Sequence, residues 1–240
     1  MSDGLMQGHR ENRLLAALPA ETFALLGRDL RQVSLAQGAS IYEPGAPIDE
    51  VYFPQTGLIS LLVVTKDGGA IETAIVGREG AVGLHRALGA RRSFTRATTQ
   101  IGGKFSIIRA SHFAQIVRED PALRDLIGRY TEVLWAEAQQ TAACNAAHDA
   151  SSRLCRWLLQ SADRTASERV PLTQEFLAQM LSLRRTTVTL LAQALQKKGF
   201  IKYSRGHIAI LDRKGLESAA CECYHVTRYD SLPAKIGVKL

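Results

Sequence analysis

The sequence predicts an α+β fold in three parts: an antiparallel β-rich region, one long helix and a small basic helical region. Short apolar runs separated by glycine and proline occupy the first half of the chain. A helical spacing of side chains follows, and two short helical patterns lie close together further on. The chain has 240 residues, of which 46% are hydrophobic and 22% charged, and this composition suits one large or two modest globular domains.

The N-terminal region begins with two short helical patterns in residues 12–29, which Pro19 separates. From Val33 onwards the pattern changes to short β-like runs. The predicted strands are residues 33–35, 40–42, 50–53, 58–64, 70–76, 94–99 and 104–108. Strands at this spacing, with turn residues between them, are typical of an antiparallel sandwich or barrel. Asp67-Gly68 is the strongest hairpin signal, because a tight turn there needs positive φ.

The long helix follows a short one. Ser111 is placed to cap a helix that runs to Val117, and Asp120-Pro121 begins the next helix. From Pro121 to about His148, side chains three and four residues apart form one narrow stripe, which consists of Leu123, Ile127, Tyr130, Leu134, Ala138, Thr141 and Asn145. A helix this long has more surface than one β-domain covers, so we predict that the stripe packs against a partner helix. The alternative is a core helix that lies across a sheet.

Basic residues are concentrated after residue 150. Residues 1–150 carry 15 basic and 16 acidic side chains, whereas residues 151–240 carry 15 basic and 7 acidic ones. The change coincides with Asp149-Ala150-Ser151-Ser152, which we interpret as a hinge followed by a helix start. A local basic excess indicates a module that binds a polyanion, because Lys and Arg release counterions when they neutralise phosphates. A solvated basic surface is the alternative.

The strongest functional signal is a pair of short helices. Thr173 is placed to cap a helix over residues 174–181, and a second helix is predicted from Arg185 to about Lys198, with Gly199 as its stop. Two helices joined this closely predict a helix-turn-helix, whose second helix enters a major groove of DNA. Arginine at its start is able to read guanine, and threonine reaches phosphate or the methyl group of thymine.

A β-hairpin follows these helices. Residues 200–203 and 208–211 are predicted strands around a tip that contains Gly206, and this hairpin would be the wing of a winged helix, with Arg205 against the DNA backbone. The predicted DNA-binding residues are Thr173, Gln174, Arg184, Arg185, Thr186, Thr187, Thr189, Lys202, Arg205 and His207. The alternative is a helical hairpin whose basic side chains are merely solvated.

Over roughly residues 12–215, the chain resembles the Crp/Fnr family of bacterial transcription regulators. The motifs that carry the resemblance are Gly38, Gly45, Gly57, Gly80-x-x-Gly83-Leu84, Arg96-Ala97, Asp149 with Arg153, and the segment 172–178. The resemblance implies a cyclic-nucleotide-binding-like β-roll, a long dimerisation helix and a winged helix-turn-helix. It also implies a homodimer that binds pseudo-palindromic double-stranded promoter DNA and recruits or blocks RNA polymerase.

The resemblance places the domains as follows: an effector β-roll with short N-terminal helices in residues 1–120, the dimerisation helix and hinge in 121–149, the winged helix-turn-helix in 150–226, and a tail in 227–240. No clear periodicity is present in the tail, and we assign it no role.

The effector region departs from members of the family that bind cyclic AMP. Gly80-Ala81-Val82-Gly83 lacks the carboxylate that holds the ribose, and Ala138 and Gln139 stand where the base would find Thr and Ser. The Arg-Ser pair that holds the cyclic phosphate falls on Arg91-Arg92 by count, or on Arg92-Ser93 by letter. These losses argue against cyclic AMP as the effector. The candidate effector residues are Gly80, Ala81, Arg91, Arg92 and Ser93. They would bind an anion other than cyclic AMP, or the roll binds no ligand at all.

The recognition helix departs from the family pattern as well. Residues 184–190 retain one Arg of the family's Arg, Glu and Arg set, with Thr186 in place of the Glu and Leu190 in place of the last Arg. We therefore expect a half-site other than the common TGTGA-like one. Arg184 replaces the family's capping Ser, which weakens this helix start.

The four cysteines are Cys144, Cys155, Cys221 and Cys223, too few for a disulfide framework, and they indicate a reducing cytoplasm. No cysteine precedes Cys144, which argues against the iron–sulfur cluster that oxygen-sensing members bind near the N-terminus. Cys221 and Cys223 fall on a predicted helix, where residues two apart diverge by about 200°. We therefore interpret them as a structural or incidental pair and predict no metal site.

Other classes of protein are less well supported. The chain has no Walker loop, G-x-S-x-G elbow or H-E-x-x-H motif, so the sequence predicts no enzyme. Its longest apolar run is far short of a membrane span, and residues 1–13 lack the apolar core of a secretion signal, so we expect no membrane partner. The remaining alternative is a ligand-sensing adaptor whose winged helix binds protein rather than DNA.

Overall fold

The computed structural model describes residues 3–66, 68–204 and 206–226. Asp67, Arg205 and the tail 227–240 lie outside these ranges. The chain begins with helices α1 (Asp3–His9), α2 (Arg13–Ala16) and α3 (Ala20–Gly27). Pro19 separates α2 from α3 as predicted, whereas α1 was not predicted because its sequence is polar. His9 at the end of α1 is buried, and its Nδ1 lies 2.7 Å from Ser106 Oγ.

The β-roll consists of two antiparallel sheets. Its strands are β1 (Arg31–Leu35), β2 (Ser40–Tyr42), β3 (Glu50–Pro54), β4 (Leu58–Val64), β5 (Ala70–Val76), β6 (Arg96–Ile101) and β7 (Gly103–Arg109). One sheet has the order β1-β7-β3 and the other β2-β6-β4-β5. All seven predicted strands are present. Strand β6 begins two residues later than predicted, because Ser93 forms a local turn by donating its hydroxyl to Thr95 O (2.7 Å).

Two helices follow the roll, α4 (Ala110–Glu119) and the 27-residue α5 (Pro121–Ala147). Asp120 caps α5 by accepting the Leu123 N–H, and Pro121 opens the helix, as predicted. The prediction that Ser111 caps α4 was wrong, because α4 already begins at Ala110.

The predicted stripe of α5 faces the chain's own core. Leu123, Ile127 and Tyr130, which we expected to contact a partner helix, are buried against the roll and α4. The expectation for these three side chains was wrong because the roll and α4 together cover the first half of the helix. Leu134, Ala138, Thr141 and Asn145 are half-buried within the chain.

The C-terminal part contains α6 (Ala150–Thr165), β8 (Arg169–Pro171), α7 (Gln174–Leu181), α8 (Arg185–Lys197), β9 (Ile201–Ser204), β10 (His207–Ile210), α9 (Arg213–Ala219) and α10 (Cys223–Val226). Asp149 Oδ1 caps α6 by accepting the N–H groups of Ser151 (2.8 Å) and Ser152 (3.1 Å). Strand β8 was not predicted, and it extends the wing hairpin to a sheet of order β8-β10-β9.

The winged helix packs directly on the roll. Leu58, Leu62 and Ile75 of the roll belong to the same apolar core as Leu154 and Trp157 of α6. The Trp157 indole N–H also donates to Glu72 Oε1 on β5 (2.7 Å). Nowhere in the described ranges is a helix long and apolar enough to cross a bilayer.

Candidate nucleic-acid interface

The helix-turn-helix is held by a cap, a left-handed turn and a shared core. Thr173 Oγ1 accepts the Phe176 N–H (3.3 Å) and so starts α7 as predicted. Ser182 has φ +53°, which reverses the chain after α7 within one residue. Val188 and Leu195 of α8 are buried beneath α7 and the wing. Helix α8 is therefore fixed with its opposite face outward.

The start of α8 presents positive charge to solvent. Arg184, Arg185 and Thr186 are exposed, and the Arg184 side chain makes no capping hydrogen bond to the described residues. The first N–H groups of an α-helix lack partners within the helix and carry its positive dipole end. Two guanidinium groups and the first backbone N–H groups of α8 therefore lie together here, an arrangement that suits an anion.

Two further predicted residues act within the motif. The Thr189 hydroxyl lies 2.9 Å from Gln174 Oε1 and 3.0 Å from the Arg185 carbonyl oxygen, so it donates inside the protein. Thr189 itself is half-buried, and Gln174 links the starts of α7 and α8. Thr187 is half-buried on the same turn.

The wing is joined to α8 through Gln196, whose Oε1 accepts the Tyr203 N–H (2.8 Å). Lys202 and His207 are exposed on its two strands. Gly206 at the tip has φ +77°, which favours glycine there. The prediction for Arg205 lies outside the described residues.

The basic excess of this half is only partly available to a polyanion. Arg153, Arg156 and Arg164 are buried, and Arg213 forms ion pairs with Asp163, Glu168 and Glu217. Among the described residues of this half, the exposed cations are Arg169, Arg184, Arg185, Lys197, Lys198, Lys202 and Lys214. The charge difference in the sequence therefore overstates the charge of the interface, but the remaining cations lie mainly on α8 and the wing.

A cleft of about 820 Å³ separates the helix-turn-helix from the β4–β5 hairpin. Arg185, Glu175 and Gln179 line one wall, and Thr65 and Gly69 line the other. The start of α8 thus opens into a space between the two domains.

The candidate effector segment is packed against α5. Gly80 and Ala81 are buried, and a Cβ atom at Gly80 would lie 1.8 Å from the Tyr130 hydroxyl oxygen. Burial also raises the pKa of Tyr130 well above its usual value, so the phenol stays neutral. Tyr130, which sequence reasoning placed at a partner helix, therefore fills the space beside Gly80.

The basic part of the candidate effector site is tied to the roll. Arg91 and Arg92 are exposed, and Arg92 donates to the Gly45 carbonyl (2.5 Å). Ser93 is buried, and its hydroxyl donates a hydrogen bond to the Thr95 carbonyl oxygen. Gly80 and Ala81 thus lie in the core, whereas the two arginines lie at the surface.

The comparisons with known proteins agree with this architecture. The sequence model of the cyclic nucleotide-binding domain matches residues 32–120, and that of the Crp-like helix-turn-helix domain matches residues 152–219. Together they define a DNA-binding regulator with a cyclic-nucleotide-binding-like domain in front of its helix-turn-helix. The chain belongs to the Crp/Fnr family of transcription regulators. No curated protein sequence matches it.

Solved structures share the fold. FixK2 from Bradyrhizobium japonicum is 17% identical with a TM-score of 0.69, covering 80% of this chain and 98% of that protein. A Crp/Fnr transcriptional regulator from Thermus thermophilus is 25% identical with a TM-score of 0.62, and the match covers 79% of this chain and 98% of that protein. The c-di-GMP-responsive regulator CLP of Xanthomonas campestris is 15% identical with a TM-score of 0.64, and the match covers 80% of this chain and 99% of that protein.

Proposed function

We propose that the protein is a homodimeric, sequence-specific DNA-binding transcription regulator that uses α8 as its recognition helix. The observation that carries the proposal is the start of α8, where Arg184, Arg185 and Thr186 are exposed at an uncapped helix end. In this proposal Lys202 and His207, which are exposed on the wing, contact the DNA backbone. In such a protein RNA polymerase is the partner at the promoter, and the regulator needs no catalytic activity.

Dimerisation is proposed through the second half of α5. Trp135 is 67% exposed, and Gln139, Ala142 and Ala146 lie on the same helix face. The small side chains of Ala142 and Ala146 near one large aromatic allow two helices to approach closely around a buried anchor. We propose that a second copy of this chain packs against this face. A dimer with a two-fold axis would place its two recognition helices to read two half-sites about 34 Å apart.

The effector proposed for the roll is an anion other than cyclic AMP, held by Arg91 or Arg92. Tyr130 occupies the space beside Gly80 and Ala81, so a bulky ligand there would have to displace it. Binding at that point would act directly on α5, because Tyr130 is part of that helix.

The experiment that tests DNA binding compares Arg185→Ala with wild type in gel shifts against a set of DNA sequences. If Arg185 reads a base, its removal weakens specific binding by about 1–3 kcal/mol, roughly 5- to 150-fold, and relaxes one base position. Arg31→Ala is the control, since Arg31 is exposed on the roll and paired with Glu50.

An adaptor that binds protein through its winged helix is the second candidate. Phosphate contacts give DNA affinity a steep dependence on salt, and each lost contact lowers the slope by about one. Binding that is insensitive to salt, and equal for Arg185→Ala and wild type, would favour the adaptor.

A further inference from the structure

Four side chains with metal-binding atoms meet where the long helix ends. Cys144 and His148 come from the C-terminal end of α5, and Cys221 and Cys223 come from the segment that follows α9. Their sulfur and ring nitrogen atoms all lie within 4.8 Å of one another. The three cysteines are buried, and the His148 side chain is 22% exposed.

Backbone geometry brings the two C-terminal thiols together. We predicted that Cys221 and Cys223 would diverge on a helix, and this was wrong because α9 ends at Ala219 and α10 begins only at Cys223. Cys221 therefore lies in the link between the two helices, and both thiols point into the same cluster.

Two of the distances between donor atoms match those around a single tetrahedral ion. With Zn–S bonds of about 2.3 Å and a Zn–N bond of about 2.0 Å, two sulfur ligands lie about 3.8 Å apart, and a sulfur and a nitrogen ligand about 3.5 Å apart. Cys144 Sγ and Cys221 Sγ are 3.5 Å apart, and Cys223 Sγ and His148 Nδ1 are 3.6 Å apart. A cluster of several iron atoms needs some of its ligands further apart than this.

The surrounding side chains orient the donors as they do at known zinc sites. His148 Nε2 lies 3.0 Å from Glu222 Oε1, so the carboxylate holds the ring proton on Nε2 and leaves the Nδ1 lone pair facing the thiols. Gln140 Nε2 donates to Cys223 Sγ (2.9 Å), a bond that a thiolate accepts better than a thiol. An incidental pair of cysteines would have no need of these partners.

Zn²⁺ would offset most of the negative charge of three thiolates. One Zn²⁺ with three thiolates and a neutral imidazole has a net charge of −1. Binding of the ion displaces the thiol protons into solvent, so that each S–H bond is exchanged for a Zn–S bond.

We propose that Cys144, His148, Cys221 and Cys223 bind one Zn²⁺ ion that fastens the C-terminal end of the winged-helix domain to the end of α5. Four protein ligands fill a tetrahedral shell, which is typical of a structural site. The ion links Cys144 to Cys221, which are 77 positions apart in the chain, and the segment between them contains the Asp149 hinge and the whole helix-turn-helix. Zinc occupancy therefore restricts how far α6 is able to turn relative to α5.

The test uses full-length protein purified under reducing conditions and titrated with Zn²⁺ alone, with metal content measured per chain. We expect one Zn²⁺ per chain, a higher melting temperature than the chelator-treated protein, and the intense visible bands of tetrahedral thiolate coordination when Co²⁺ replaces Zn²⁺. Cys223→Ser should weaken Zn²⁺ affinity at least 100-fold, and Glu222→Gln about 10- to 100-fold.

Cys155→Ser is the matched control, because Cys155 is also a buried free cysteine but lies outside the cluster. It should bind Zn²⁺ like the wild type. His148→Cys should still bind one ion, with stronger sulfur-to-cobalt absorption, which separates loss of a ligand from loss of the fold. Wild-type protein that takes up no Zn²⁺, or a Cys223→Ser variant that binds it with unchanged affinity, would overturn the proposal. Neither result depends on DNA binding, so the regulator function stands or falls separately.

Discussion

Glu72 is a buried carboxyl at the contact between the roll and the winged helix. It accepts hydrogen bonds from Ser60 Oγ and from the Trp157 indole, yet removal from water outweighs these bonds and raises its pKa from 4.5 to about 7. A raised carboxyl pKa means that the folded state holds the proton more tightly than the unfolded state. The contribution of Glu72 to stability is therefore fully present below about pH 4.5 and is lost as pH rises toward 7.

We expect Glu72→Gln to flatten the pH dependence of stability. The amide keeps an acceptor for Trp157 and has no charge to bury. Between pH 5 and pH 8, wild type should lose roughly 2–3 kcal/mol more unfolding free energy than the variant. Urea unfolding at both pH values measures this difference. Glu43→Gln is the control, because Glu43 is exposed and pairs with Arg96 at the surface. Parallel pH profiles for Glu72→Gln and wild type would contradict the assignment.

Arg164 is a buried arginine whose structural role could not be predicted from the sequence. It counts toward the basic excess of the second half, but it is buried and ion-paired with Glu79 and Glu137. These partners come from the roll and from α5, far away along the chain, and the sequence pattern contains no signal that pairs them. Removing one member of such a buried set typically costs 3–5 kcal/mol. The arginine therefore contributes to the contact between the domains, and its charge is not available to a polyanion.

Helix α5 has two faces with different roles. The sequence pattern predicted its length and its start at Asp120-Pro121, because local spacing and the preference of proline for the first helical turn determine both. It did not predict which face the roll would cover, since that depends on strands and on α4, which pack against the helix from elsewhere in the chain. The side chains that we predicted to contact a partner helix are buried or half-buried within this chain, whereas Trp135 on another face of α5 is exposed.

We expect Trp135→Glu to weaken the dimer. Loss of a central Trp anchor typically costs at least 2 kcal/mol, so the dissociation constant should rise about 30-fold or more, and the new charge adds repulsion across a two-fold axis. Light scattering after size-exclusion chromatography at several protein concentrations measures the change. Phe94→Glu is the matched control, since Phe94 is 88% exposed on the roll. Equal dissociation constants for Trp135→Glu and wild type would place the dimer contact elsewhere.

The helix-turn-helix was the most predictable part of the chain. Thr173, the α8 range and Gly199 follow local rules of capping and helix termination, and the structure agrees with them. The strand β8 and the cysteine cluster were not foreseen. Strand β8 is only three residues long and pairs with β10 at a distance along the sequence. The signal that was available for the cluster was Cys144-x-x-x-His148 together with Cys221-x-Cys223.

The whole molecule is held together across its domain boundary. The roll and the winged helix share an apolar core, the Trp157–Glu72 hydrogen bond and the Arg164 ion pairs. The cleft beside Arg185 lies between the same two domains. A change in the roll or in α5 therefore has a direct physical route to the start of α8.

Selection of genomic DNA fragments by the purified full-length protein, with the selected fragments followed by gel shift across a salt series, tests the central claim most directly. We expect a pseudo-palindrome with half-sites about one helical turn apart, and an affinity that falls linearly on a logarithmic scale with salt. Recovery of fragments with no common sequence, bound with the same affinity as random DNA, would contradict a sequence-specific regulator.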